Sequence, residues 1–191
     1  IYGIKDRFQN SSSALVDITG VWETTFEPNT DDIYIGKGIF KAIGDQVVGT
    51  FRTTTGDYRY LEGVMSGDSL KVSAFDGAHA FVFNAKVNDS MMNGTFYSGN
   101  HSKELFVAKR NETFELPSAD SLTFLKPGYD EFSFSFPNEK GEIISLKDDS
   151  FKNKVVVVQI MGSWCPNCLD ETKYYVEYMK KNPEANMEFV G

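Results

Sequence analysis

Cysteine is nearly absent from this chain. Only two occur among its 191 residues, Cys165 and Cys168, which excludes a miniprotein stapled by several disulfides. Histidine is as scarce: His79 and His101 lie at no zinc-finger spacing from each other or from the cysteines. Positive charge is also in short supply. Nineteen Lys and Arg stand against 27 Asp and Glu, a net charge of −8, so there is no basic footprint for nucleic acid and no attraction to anionic lipid. The longest apolar run, Val155 to Met161, is interrupted by Gln159 and is too short for a membrane-spanning helix. The opening residues, IYGIKDRFQN, have neither an initiator Met nor the charged-then-apolar layout of a signal peptide. The expectation is of a trimmed sequence, with any export signal or lipid anchor lying upstream.

What is present suits an ordinary globular protein. Hydrophobic residues make up 41% and aromatics 14%, enough for a sizeable core in one large domain or two smaller ones. From about residue 18 to residue 110 the chain reads as short alternating segments: VWETTF, IYIGKGIFKAI, QVVGTF, YRYLEGVM, SLKVSAF, HAFVFNAKV, MMNGTFY and ELFVAKR. Period two places His79, Phe81, Phe83, Ala85 and Val87 on one face, and Leu70, Val72 and Ala74 on another. Turn signals separate the segments, among them Gly44-Asp45, Gly67-Asp68 and Gly99-Asn100. Connections this short join antiparallel neighbours, so the spacing predicts an up-and-down meander of about eight strands, closed as a barrel or folded as a sandwich.

The grammar then changes. Residues 1–115 are assigned to the all-β domain, 116–128 to a proline-flanked linker, and 129–191 to a second domain. In the second domain, FSFSFPNEKGEIISL reads as a hairpin, and VVVVQIM as a strand buried on both faces, as in a parallel or mixed sheet. Cys165 to about Lys181 reads as a helix, with Cys168, Leu169, Thr172, Tyr175, Val176 and Met179 as one stripe. Pro166 suits its first turn, Asn182-Pro183 ends it, and MEFVG begins another strand. The order β–α–β is the start of an α/β domain, so the fold class expected for the whole chain is multi-domain α+β.

The two cysteines sit where a strand passes into that helix. Free backbone N–H groups and the positive end of the helix dipole stabilise Cys165 as a thiolate, and the thiolate is the species that attacks a disulfide. Cys168, one helical turn deeper, is placed to resolve the mixed disulfide. Trp164 offers a flat apolar surface for a partner peptide. Three plainer readings stand beside redox exchange. A structural disulfide this short constrains little of the unfolded chain, half a zinc site needs two more ligands, and a chance CxxC fits poorly with the strand–helix context. Redox exchange is the favoured one.

The stretch FPNEKGEIISLKDDSFKNKVVVVQIMGSWCPNCLDETKYY resembles the opening of TlpA/ResA-type proteins, extracytoplasmic thiol–disulfide oxidoreductases of the thioredoxin fold, related to the AhpC/TSA redoxins. The resemblance covers about residues 130–191. It rests on the hairpin, the Lys-and-valine strand, Gly-Ser-Trp-Cys, and Glu171 three residues beyond Cys168. It implies that 129–191 is the first, incomplete part of a thioredoxin-like domain, with Cys165 as attacking thiol and Cys168 as resolving thiol. It further implies that Glu171 tunes the pair or handles protons, a solvated glutamate being the plain alternative. The resemblance also implies that the residues inside the motif, Pro166 and Asn167, affect thiolate stability and, with Trp164, meet the substrate. Gln159 stands where thioredoxin proper has a buried aspartate, as is common in the TlpA/ResA group. Lys173 replaces a helix-kinking proline, so a straighter helix is expected. Too few residues follow Cys168 for the full domain and its cis-proline loop; activity is therefore assigned to a longer protein and not to this stretch alone.

The implied function is thiol–disulfide exchange with protein disulfides and dithiols, fed by a membrane or periplasmic electron donor, in the periplasm or cell envelope. No cofactor or metal is called for beyond the Cys165–Cys168 disulfide. The alternative is a binding module, in which the β domain captures a ligand or partner beside a non-catalytic scaffold. A thiol peroxidase is weaker, because Met161-Gly162-Ser163-Trp164 lacks the threonine such enzymes carry ahead of their cysteine. Asp31-Asp32 and Asp148-Asp149 read as solvated turns. Asn93-Gly94-Thr95 and Asn111-Glu112-Thr113 match glycosylation sequons that matter only in a eukaryotic secretory pathway.

Overall fold

The computed structural model describes residues 12–191. The chain divides into two compact units, one ending at Leu122 and the other spanning Thr123–Gly191.

In the first unit the alternating segments become β1 (Gly20–Phe26), β2 (Tyr34–Ile43), β3 (Gln46–Thr53), β4 (Gly56–Asp57), β5 (Leu61–Ser66), β6 (Ser69–Phe75), β7 (Ala80–Val87), β8 (Met91–Ser98) and β9 (Ser102–Arg110). Each strand pairs antiparallel with its neighbour, and β9 returns to β1 in the register Trp22↔Arg110 to Phe26↔Phe106. That last ladder closes an eight-stranded antiparallel barrel, with β4 folded back on β3 as a two-residue addition. A closed barrel has no free edge strand to recruit another chain. The turns are as tight as the sequence suggests. Gly67, for example, lies between paired Ser66 and Ser69 with φ +59, a left-handed conformation that disfavours side chains with a Cβ.

The inner face carries the core. Trp22, Phe26, Phe51, Phe83 and Phe106 are fully buried, with Leu61, Met65, Leu70, Val72 and Met92 around them. Their rings interlock: Phe51 stands edge-on to Phe40 and Phe106, and Phe83 stacks on Phe96 with centroids 4.5 Å apart. Burial of each large apolar side chain contributes about 1.5–3 kcal/mol, so side chains fill the barrel and hold it together. Polar groups enter this interior as well: the buried Thr24 hydroxyl donates to the Trp22 carbonyl at 3.1 Å. The Tyr34 hydroxyl donates to the Glu104 carboxylate and lies 2.7 Å from the Tyr58 hydroxyl. On the outer wall Lys37 is nearly buried and pairs with Glu115 at 2.6 Å, pinning the segment that leaves β9.

The second unit contains a short hairpin, β10 (Ser135–Pro137) and β11 (Ile143–Ser145), then β12 (Val155–Val158), α1 (Pro166–Lys181) and β13 (Met187–Val190). β12 and β13 are parallel, in register from Val155↔Met187 to Val158↔Val190. The expected multi-domain α+β class, with a thioredoxin-like α/β part, is overturned here. The described residues are mostly β, 45% strand with one α-helix, and no α/β thioredoxin fold is evident among them. The physical reason lies in what the parallel strands have around them. An α/β sheet covers both faces of its strands with helices, whereas this sheet has two strands and one helix among the described residues. β12 is accordingly not buried on both faces, since Val155 is 60% exposed, and α1 contains no fully buried residue. The helical stripe is narrower than expected as well: Cys168, Thr172, Tyr175 and Met179 are half-buried, while Leu169 and Val176 face solvent.

Candidate active site

The site is the junction between the end of β12 and the start of α1. Cys165 is the N-cap of α1 with extended backbone, Pro166 occupies the first helical position, and the Cys165 Sγ accepts a hydrogen bond from the Cys168 N–H at 3.3 Å. Proline suits that position because its missing N–H is one the first turn leaves unpaired anyway. The Cys165 N–H donates to the Gly162 carbonyl at 2.9 Å, and the Leu169 N–H to the Cys165 carbonyl at 3.1 Å. The two sulfurs form a disulfide, with Cα atoms 5.3 Å apart. Both cysteines are half-buried, so the bond is neither sealed in a core nor free in solvent.

No acidic residue lies in the first turn of α1, and Lys180 and Lys181 occupy its last turn. The positive end of the helix dipole is thus left unopposed at the sulfur. Trp164 is 74% exposed beside the pair, and its ring lies close against Gly162, where a Cβ would fall 2.6 Å from the indole Cε2. Only a residue without a side chain permits that approach. Ile160, on the same connection, also projects into solvent.

On the Cys168 side a polar cluster joins strand and helix. Gln159, just past β12, donates through Nε2 to the Cys168 carbonyl at 3.1 Å and to Glu171 Oε2 at 2.8 Å. The Thr172 hydroxyl lies 2.8 Å from both Gln159 Oε1 and the Cys168 carbonyl. Tyr175 donates its hydroxyl to Glu171 Oε1 at 2.5 Å, and the bond to that carboxylate, ahead of burial, raises the tyrosine pKa. No family model, curated protein or solved structure matches this chain.

Of the residues singled out in the sequence, the structure gathers Trp164, Cys165, Pro166, Asn167, Cys168 and Glu171 at one junction, with Asn167 half-buried in the first turn. Lys173 leaves the helix unbroken over its 16 residues and pairs with Asp170 at 3.3 Å. The histidines lie elsewhere. His79 is 3.2 Å from Asp76 and stacks on Phe81, while His101 is exposed on the turn into β9. Among the described residues no group of three or more His, Cys, Asp or Glu converges on a metal-sized site. Asp31 and Asp32 sit in an exposed turn, and Asp148 caps a backbone N–H of its own loop. Sequence reading missed Tyr175 and Thr172 as site residues and placed both merely on an apolar stripe. The i, i+4 spacing of Glu171 and Tyr175 was the available signal.

Proposed function

We propose that this chain carries the exchange centre of a thiol–disulfide oxidoreductase whose substrates are protein disulfides and dithiols. The observation that carries the reading is the Cys165–Cys168 disulfide at a helix N-terminus, with the Cys168 N–H aimed at the Cys165 sulfur. That arrangement activates one thiol and positions a second to displace it.

In the reduced state Cys165 is the attacking thiolate, stabilised by the Cys168 N–H and the helix dipole. It displaces one sulfur of a client disulfide, and Cys168 resolves the mixed disulfide, releasing a client dithiol. Trp164 provides the exposed apolar platform beside the reacting sulfurs. Pro166 and Asn167 shape the turn that separates the thiols and so influence the poise of the pair. Glu171 supplies a carboxylate for proton handling on the Cys168 side. The redox group is the disulfide itself, and a membrane-bound or periplasmic thiol donor would restore the dithiol. The resemblance of residues 130–191 to the TlpA/ResA type supports the same chemistry and an extracytoplasmic location.

The test is insulin reduction by the protein and by Cys165→Ser, with dithiothreitol as electron source. Loss of turnover in the variant is the expected result; equal activity in both would end the reading. The competing view, a binding module built on the barrel, has less behind it. Buried aromatic and aliphatic side chains occupy the barrel interior, and on the outer wall Ile39, Val48 and Tyr60 line an open apolar groove that would have to do the capturing.

A further inference from the structure

A glutamate on a helix surface normally samples several rotamers, and Glu171 is exposed. Yet both of its oxygens are held. Tyr175 donates to Oε1 at 2.5 Å and Gln159 to Oε2 at 2.8 Å. Each donor is itself fixed. The Tyr175 ring stacks on Phe189 of β13, with centroids 4.6 Å apart and planes 26° from parallel. The Gln159 amide is tied at Nε2 to the Cys168 carbonyl and at Oε1 to the Thr172 hydroxyl. The carboxylate is therefore gripped between a ring anchored on the sheet and an amide anchored on the backbone of Cys168. Tyr175 remains a donor across the neutral range, because its bond to Glu171, with burial adding to it, raises its pKa.

We propose that Tyr175 is a positioning residue for disulfide exchange, holding the Glu171 carboxylate on the Cys168 side of the pair to accept the proton that Cys168 loses as it resolves the mixed disulfide. This rests on the exchange reading above. With a client sulfur bonded to Cys165, the Cys168 thiol passes its proton to Glu171 and its sulfur bonds to the Cys165 sulfur. The Cys165–client bond breaks, its electron pair leaves on the client sulfur, and that sulfur takes the proton from Glu171. The client disulfide gains two electrons and the cysteine pair loses two. In the reverse direction a client dithiol reduces the pair, and the proton retraces its path.

The test follows resolution of a pre-formed mixed disulfide in single turnover, across about pH 5 to 9. It uses the full chain as wild type, Tyr175→Phe, Glu171→Gln and the double variant. Tyr175→Phe keeps the ring on Phe189 and removes only the hydroxyl. The expected result is resolution slowed roughly tenfold near neutral pH, with a displaced pH profile and no further loss in the double variant. A Tyr175→Phe profile that matches wild type overturns the proposal, as does a loss that adds in full to that of Glu171→Gln. Cys165→Ser separates the two levels. If it abolishes exchange while Tyr175→Phe changes nothing, only this inference falls; if it leaves exchange intact, the reading beneath falls too.

Discussion

Replacing Phe51 with alanine tests whether the barrel is a packed body or a vessel. Phe51 is fully buried, and four rings surround it: Phe83 at 4.7 Å, Phe40 at 5.1 Å, Phe106 at 5.4 Å and Phe26 at 5.6 Å between centroids. These rings belong to β7, β2, β9 and β1, each held in the closed ladder, so they cannot slump together into the space left behind. Phe→Ala in a core costs about 3–5 kcal/mol, more where the site cannot collapse, which places this variant near the upper end, at about 4–5 kcal/mol. A domain's whole stability is of order 5–15 kcal/mol, so the loss would be conspicuous. With a urea m-value near 2 kcal/mol/M the midpoint falls by about 2 M. The assay is urea unfolding in a Trp164→Phe background, where the fully buried Trp22 reports on the barrel alone. Phe75→Ala is the control: that ring is 71% exposed, and its removal should stay within about 0.5 kcal/mol. A loss under about 1 kcal/mol for Phe51→Ala would refute the packing argument and return weight to a ligand-holding barrel.

Two further outcomes follow from the same reasoning. Gly162→Ala puts a Cβ within 2.8 Å of the Trp164 indole nitrogen, so the ring must leave its seat; acrylamide quenching of Trp164 should rise and exchange should slow several-fold while the urea midpoint of the barrel stays put. Unchanged quenching would show that the ring does not depend on that glycine. Alkali should weaken the barrel through Tyr58, whose pKa is pushed from 10.0 to about 12, chiefly by burial and then by the Glu104 charge. Because the folded-state value is the higher one, the contribution of this hydroxyl is intact below pH 10 and is lost as pH climbs through 12. Tyr58→Phe should lessen the decline without abolishing it, because burial and the Glu104 bond raise the Tyr34 pKa as well, and a wild-type stability that is level across this window would contradict the assignment.

The strands were readable because their signal is local. In HAFVFNAKV the inward positions, Phe83, Ala85 and Val87, are the ones the structure buries, since side chains alternate across a pleated strand whatever it pairs with. The CxxC junction was readable for a similar reason: Pro166 and the change from strand to helix mark an N-terminus within a few residues. The valine run misled. Four consecutive valines suggest a strand enclosed by helices, but enclosure depends on elements elsewhere in the chain, and Val155 faces solvent. The same limit applies to α1, where periodicity marked Leu169 and Val176 as packing residues and neither found a partner to bury it.

By itself, then, the order of residues determined the elements, their alternating faces, the tight turns, and the placing of two thiols at the head of a helix. Each of these depends on backbone preference or on neighbours a few positions away. Closure of the meander was decided only by tertiary structure, because it needs Trp22 opposite Arg110, a pairing of two ends of the domain that no local pattern encodes. So was the grip on Glu171. Its two oxygens are held from a strand end and from a helix whose ring leans on a second strand, and such contacts exist only once remote segments have been brought together by folding.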